Sequence, residues 1–291
     1  MAVSLGDPAG PGRDRRRSDG IGGRRAVAVN RVGCMTNSDA GATYRSRLGR
    51  AGFETGSDVY ERARPGYPTE AVDHLAATIG LAPGRRLVDL AAGTGKLTRQ
   101  MHPYGVACIA LEPSPSMREV FAQVVPGVPV VGATAERIPL ATATVDAVVV
   151  AQAFHWFDAP VALAEVARIL RPGGWLALIW NERDETDPMV DELVRISKWD
   201  TSAPYPVGMD FGPVVDRSGT FGPVERTKFP FVQRMELATF VDQVASRSYV
   251  QVLPEEERRN LLEQVGSFGA ALPQPIAMPY VTDLFGAQVA S

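Results

Sequence analysis

The residues best suited to chemistry in this sequence form one short run, Asp89-Leu90-Ala91-Ala92-Gly93-Thr94-Gly95. An acidic residue followed by small residues at alternate positions lets backbone approach a ligand closely and turns the amides of a following helix toward it. Three cofactor classes use such a turn. A phosphate-cradling loop needs glycine, four residues and then Gly-Lys-Ser/Thr, but Leu90 stands at the first glycine position and Leu97 follows Gly95-Lys96. The dinucleotide fingerprint needs a third glycine where Thr98 stands, or Ala91 as its first, and fits poorly. Glu112 closes the next apolar run, where a carboxylate can accept hydrogen bonds from both hydroxyls of an adenosine ribose. Nicotinamide enzymes use the same device, so an NAD(P)-dependent oxidoreductase stays open as an alternative.

His155 is the one histidine close to a further strand end. It is a candidate general base, or equally a residue that packs beside Trp156 and orients a ligand. His74 and His102 have no cysteine or acidic partners at ligand spacing, so no metal site is expected. No G-x-S-x-G elbow occurs, which removes the hydrolase nucleophile from this scaffold.

Five short, nearly continuous apolar runs position these residues: 86–91, 106–111, 128–131, 145–151 and 175–180. Helical stretches separate them, as buried parallel strands require. Thr69 can cap a helix with Val72, Leu75, Ala76 and Ile79 on one face, and Gly80 can end it. Asp158 can cap another that runs to Leu170, with Arg171-Pro172-Gly173-Gly174 as its stop. Beyond Asn181 the alternation breaks down. Strand-like runs at 226–232 and 278–287 then bracket a helical stretch at 237–265. The pattern predicts an α/β, Rossmann-like, doubly wound seven-stranded sheet: five parallel strands plus a C-terminal antiparallel pair, with helices on both faces and a small helical insertion.

The chain has 291 residues, 45% of them hydrophobic, enough for one α/β domain with an appended smaller unit. Residues 1–50 combine Gly, Pro, Ser and Arg without apolar periodicity and are expected to be a disordered extension. Arg15-Arg16-Arg17 lacks the apolar stretch an export signal needs. A formal net charge of −3 supplies no field that would gather nucleic acid, and charges and prolines interrupt every candidate membrane span. The two cysteines, Cys34 and Cys108, are far apart, which fits a reducing cytoplasm.

Four segments carry a family resemblance: 88–98 (VDLAAGTGKLT), 132–140 (GATAERIPL), 151–158 (AQAFHWFD) and 170–174 (LRPGG). Together they resemble class I S-adenosylmethionine-dependent methyltransferases, in particular the small-molecule group that includes trans-aconitate methyltransferase-like proteins. Residues 60–68 (YERARPGYP) are similar to the segment preceding the core in that group. The resemblance implies that Asp89, Ala91, Gly93, Thr94 and Gly95 lie beside the methionine part of the cofactor S-adenosyl-L-methionine. It implies that Glu112, with Pro113 beside it, holds the ribose, and that Met117 packs against the adenine. Thr134 and Ala135 would flank the adenine edge, Thr134 standing where many relatives have aspartate. Glu136 is a further candidate there, and Gln152 would lie beneath the cofactor.

Tyr60, Arg64, Tyr67 and Trp156 are the substrate-side candidates, Arg64 being able to clamp a carboxylate. The other reading of 60–68 is a surface turn stiffened by Pro65 and Pro68. Residues 51–291 would form the methyltransferase domain, with the cofactor core at 51–181 and C-terminal strands and a helical substrate cap at 182–291. Trp199, Tyr205, Phe211 and Tyr249 could line that cap's pocket or be ordinary core. The expected activity is methyl transfer to a carboxylate or hydroxyl oxygen of a small molecule, with a non-catalytic S-adenosylmethionine-binding protein as the remaining alternative.

Overall fold

The structure, a computed structural model, describes residues 61–198 and 210–290. The proposed disordered extension, Cys34, Tyr60, Trp199 and Tyr205 lie outside the described residues. Seven strands form one sheet in the order β3-β2-β1-β4-β5-β7-β6. They are β1 (Arg86–Leu90), β2 (Ala107–Leu111), β3 (Val130–Val131), β4 (Val145–Ala151), β5 (Leu170–Arg183), β6 (Glu225–Met235) and β7 (Ile276–Gln288). The first five pair in parallel, while β7 runs antiparallel to both β5 and β6. This is the expected sheet. Its order reverses between β1 and β4, the switch point at which open α/β sheets leave a crevice outside the strands' carboxyl ends.

Strand alternation sends neighbouring residues to opposite faces. Leu87, Ala147, Val149 and Ile179 pack against α1 (Thr69–Thr78) and α2 (Lys96–Met101) through Leu75, Leu97 and Met101. Val88, Leu90, Val148, Val150 and Leu178 face the other way, onto α4 (Ala159–Ile169) through Leu163 and Val166. Between α2 and α4 in the chain lies α3 (Pro115–Val124), which buries Phe121 against Ala110 and Val125. Complete burial of such side chains contributes roughly 1.5–3 kcal/mol each. At the amino ends of the strands, Asp146 accepts the Arg86 N–H at 2.7 Å and an Arg171 guanidinium N–H at 2.9 Å, tying β1, β4 and β5 together.

Two local expectations are corrected. Thr69 does not cap α1: Pro68 occupies the cap position and Thr69 is the first helical residue. The Arg171-Pro172-Gly173-Gly174 run is not a separate stop, since α4 ends at Ile169 and β5 begins at Leu170 and carries the run into the sheet. A register shift between Val145 and Ala147 accommodates it. Gly80 does end α1, in the left-handed conformation (φ +64°), with the Leu81 N–H bonded to the Ala76 carbonyl.

The helical stretch after β6 is three helices, α7 (Leu237–Ala245), α8 (Ser248–Gln251) and α9 (Glu255–Ala270). With α5 (Pro188–Ser197) they share a separate core around Val190, Leu193, Phe240, Val244, Val265 and Met278. The short α6 (Gly212–Asp216) instead joins the main core through Val215, beside Phe211. No helix among the described residues is long and apolar enough to cross a membrane.

Candidate active site

The glycine loop leaves β1 with three left-handed residues, Ala91 (φ +57°), Gly93 (φ +57°) and Gly95 (φ +84°). Ala91 thus keeps the backbone a glycine would adopt, at a steric cost of roughly 1 kcal/mol. The alternation of small residues in the sequence is therefore an alternation of backbone conformations. Gly93 borders open space, with nothing within 4 Å of where a Cβ would stand. At Gly95 a Cβ would strike Val125 and Phe121 of the α3 region at 2.6–2.7 Å. One glycine leaves room for a ligand and the other lets the loop pack on the protein.

Glu112, at the carboxyl end of β2, is buried, and its two oxygens divide their work. Oε2 accepts the Gly93 N–H at 2.9 Å and Oε1 accepts the Ser114 N–H at 2.8 Å. A carboxylate has about four acceptor directions, so about two remain for ribose hydroxyls. Burial raises the Glu112 carboxyl above its ordinary range, against the opposing effects of those two N–H groups and of Arg118.

Beneath the loop Asp89 is fully buried. Its Oδ2 accepts the Thr98 hydroxyl, and Oδ1 has no hydrogen-bond partner among the described residues. Burial, aided by the neighbouring Glu112 charge, pushes Asp89 up to about 7. The folded state then binds a proton that the unfolded chain releases near pH 4, so this group's stabilising contribution is lost as pH rises from about 4 to 7. The protein without ligand is expected to lose at most about 4 kcal/mol through Asp89 over that interval. Denaturant titrations at several pH values check this, and Asp89→Asn should flatten the slope.

The segment before α1 is fastened over the loop. Glu61 accepts from the Thr94 hydroxyl and from Arg99 (2.7 Å), while Lys96 donates to its carbonyl. Although burial opposes it, these bonds hold the Glu61 carboxyl below its ordinary range. The backbone of Tyr67 is clasped by the Gln100 side-chain amide, 2.9 Å to its N–H and 2.7 Å to its carbonyl. Arg64 reaches across to the cap, its Nε donating to Ser246 Oγ at 3.1 Å. This segment is a strap joining loop and cap rather than a surface turn.

An open cleft lies at the switch point, between the carboxyl ends of β1 and β4. Of the residues expected from sequence, Ala91, Gly93, Thr94 and Gln152 line it, and so do Arg64, Tyr67, His155 and Trp156. Gln152 is itself left-handed (φ +57°) at the end of β4, and its side chain donates to the Asn181 carbonyl at 3.0 Å. His155 packs on Trp156 in a tilted arrangement, ring centroids 4.4 Å apart, and meets Trp180 edge-on at 5.0 Å, so its ring has a fixed place.

The other expected residues are not cleft-lining. Asp89 and Gly95 support the loop from below. Met117 is buried in the first turn of α3, and Pro113 is exposed in the turn before it. Thr134 is exposed, Ala135 is buried in the main core, and Glu136 accepts the Asp158 N–H at 3.0 Å. Phe211 and Tyr249 are core residues, the Tyr249 hydroxyl donating to the Ser197 carbonyl. Cleft residues missed in the sequence are Asn181, Ser246, Arg247, Ser248 and Tyr280. Asn181 follows the fifth apolar run and was open to the same strand-end argument as Gln152.

Residues 88–178 match the family described as a methyltransferase domain. Over 238 residues the chain is 40% identical to an uncharacterized methyltransferase of Mycobacterium tuberculosis, an alignment covering 79% of this chain and 92% of that one. The chain belongs to the class I S-adenosylmethionine-dependent methyltransferases. Two solved structures share the methyltransferase's fold. One is the YcgJ protein of Bacillus subtilis (TM-score 0.53, 20% identity, covering 77% of this chain and 100% of that one). The other is phosphoethanolamine N-methyltransferase 2 of Haemonchus contortus with phosphomonomethylethanolamine and S-adenosylhomocysteine (TM-score 0.51, 16% identity, 82% and 58%). Among the described residues of the methyltransferase no group of three or more His, Cys, Asp or Glu could hold a metal ion.

Proposed function

We propose that this methyltransferase moves the methyl group of S-adenosylmethionine to an oxygen of a small-molecule acceptor held between the strap and the helical cap. The observation that carries the reading is the tie between Glu112 and the Gly93 amide. It joins a carboxylate suited to a ribose to a glycine loop with open space above it, at the switch point of the sheet. The Haemonchus enzyme with S-adenosylhomocysteine has the same fold, which supports this assignment. On this reading Glu112 accepts from the ribose and Gly93 lets the cofactor approach the loop. Met117, Pro113, Thr134, Ala135 and Glu136 border the adenosine end.

A bound sulfonium supplies an already activated methyl group, so the protein's task is mainly to place the acceptor in line with it. Gln152, beneath the cofactor, and Asn181 are bonded to each other at the ends of β4 and β5 and form the floor of the cleft. His155, immobilised between Trp156 and Trp180, takes the proton from a hydroxyl acceptor. His155→Ala is expected to lower kcat about 100-fold while leaving S-adenosylhomocysteine affinity unchanged. The test is an assay with labelled S-adenosylmethionine across carboxylic acids and phenols. Unchanged turnover at saturating acceptor would remove His155 from the reaction, and no transfer to any acceptor would count against an oxygen methyltransferase.

A further inference from the structure

The charge along the acceptor side of the cleft is one-sided. Arg64, Lys96 and Arg247 line the cleft and no aspartate or glutamate does so among the described residues; Lys96, at the glycine loop, is paired with Glu61 at 3.5 Å, which leaves Arg64 and Arg247 as the cations beside the cap. Behind this wall lies a fourth cation that no part of the cofactor account uses, Arg183, the last residue of β5. In the antiparallel pairing Arg183 stands opposite Tyr280, and Asn181, two residues earlier, stands opposite Thr282. Residues two apart on a strand, and residues directly opposite across a pair, share a face. Asn181 and Tyr280 both line the cleft, so Arg183 is on the cleft-facing side of the sheet. Its Nε and Nη2 are sealed from solvent and have no hydrogen-bond partner among the described residues.

A guanidinium in that position is costly. Burial first, and then the neighbouring Arg247, lower the Arg183 pKa from its ordinary value, and only the phenols of Tyr280 and Tyr249 work against this. Two donor nitrogens withdrawn from water and left unbonded normally mark a place where something else bonds. A planar guanidinium matches the two oxygens of a carboxylate or a phosphate.

Resting on the methyl-transfer reading above, we infer that the acceptor is an anion whose carboxylate or phosphate group docks on Arg183 beside Arg247 and Tyr280. The cap helices α7 and α8 form the near wall of this dock, because Ser246, Arg247 and Ser248 lie at their junction. Arg183 is then a specificity-determining residue, on β5 beside Tyr280 and the cap.

The test uses the full chain saturated with S-adenosylhomocysteine and titrated calorimetrically, at fixed ionic strength, with succinate, inorganic phosphate and neutral succinamide. Succinate or phosphate is expected to bind and succinamide to stay silent. Arg183→Met should weaken the bound anion at least about tenfold, and Arg183→Lys should keep part of the affinity. S-adenosylhomocysteine affinity should change less than about twofold, and the Met variant should melt no lower than the wild type, because the guanidinium it removes has two nitrogens sealed from water without a hydrogen-bond partner and only the Tyr280 phenol beside it.

Binding of neither anion would overturn the inference, as would equal affinity in wild type and Arg183→Met. Loss of S-adenosylhomocysteine affinity in the Met variant would also overturn it, by assigning Arg183 to the cofactor. Failure of the wild type to take S-adenosylhomocysteine at all would overturn both this inference and the reading beneath it.

Discussion

Glu112→Ala is expected to lower S-adenosylhomocysteine affinity by about 100-fold or more, with the fold retained. The wild-type side chain carries two loads at once. It fixes the loop by accepting the Gly93 and Ser114 amides, and on the proposed reading it accepts the ribose hydroxyls with its remaining lone pairs. Alanine would leave both buried amides unbonded at about 1–3 kcal/mol each and would remove the hydrogen bonds that distinguish a ribose. Glu112→Gln should be milder, since one oxygen survives and the amide nitrogen must point at one of two N–H donors. Calorimetry on the three proteins gives the ranking wild type, Gln, Ala. An Ala variant within threefold of the wild type would separate Glu112 from the cofactor.

The second large effect is on stability. Gly95→Ala should cost about 2–5 kcal/mol, combining about 1–2 for a side chain in the left-handed region with about 1–3 for overpacking. The added methyl group would meet Val125 Cγ2 at 2.6 Å and Phe121 at 2.7 Å, and Phe121 is fully buried with little room to retreat. At roughly 2–4 °C per kcal/mol for a domain of this size, the melting temperature should fall by about 10 °C. Gly93→Ala is the contrasting variant. Its methyl group meets nothing in the protein, so it should cost only about 1–2 kcal/mol while intruding into the space assigned to the cofactor. If the two substitutions destabilised equally, the division between a packing glycine and a ligand-facing glycine would be wrong.

The parts of the fold legible in the sequence were those set by local pattern. β4 has the expected limits because an unbroken apolar run between turn residues has one way to be buried on both faces of a parallel sheet. Arg171 to Gly174 misled because a Pro-Gly-Gly run ordinarily ends an element, whereas here the bulge opposite Val145 lets the strand absorb it.

In the site, the loop and Gln152 were legible because they stand directly after apolar runs. Ser246, Arg247 and Ser248 gave no such signal. They join two helices more than sixty positions beyond Asn181, and only the packing of the cap core brings them to the cleft. Arg183 was hidden differently. It is one charged residue just past a strand whose full length the apolar run understated, and its importance lies in the cross-strand neighbour Tyr280, about a hundred residues away.

The glycine loop, Glu112 and the cleft together form the proposed site for S-adenosylmethionine. Calorimetric titration of the wild-type chain with S-adenosylhomocysteine, and separately with NAD, tests it most directly. Saturable one-to-one binding of S-adenosylhomocysteine and no heat from NAD are expected. Binding of NAD with none of S-adenosylhomocysteine would contradict it.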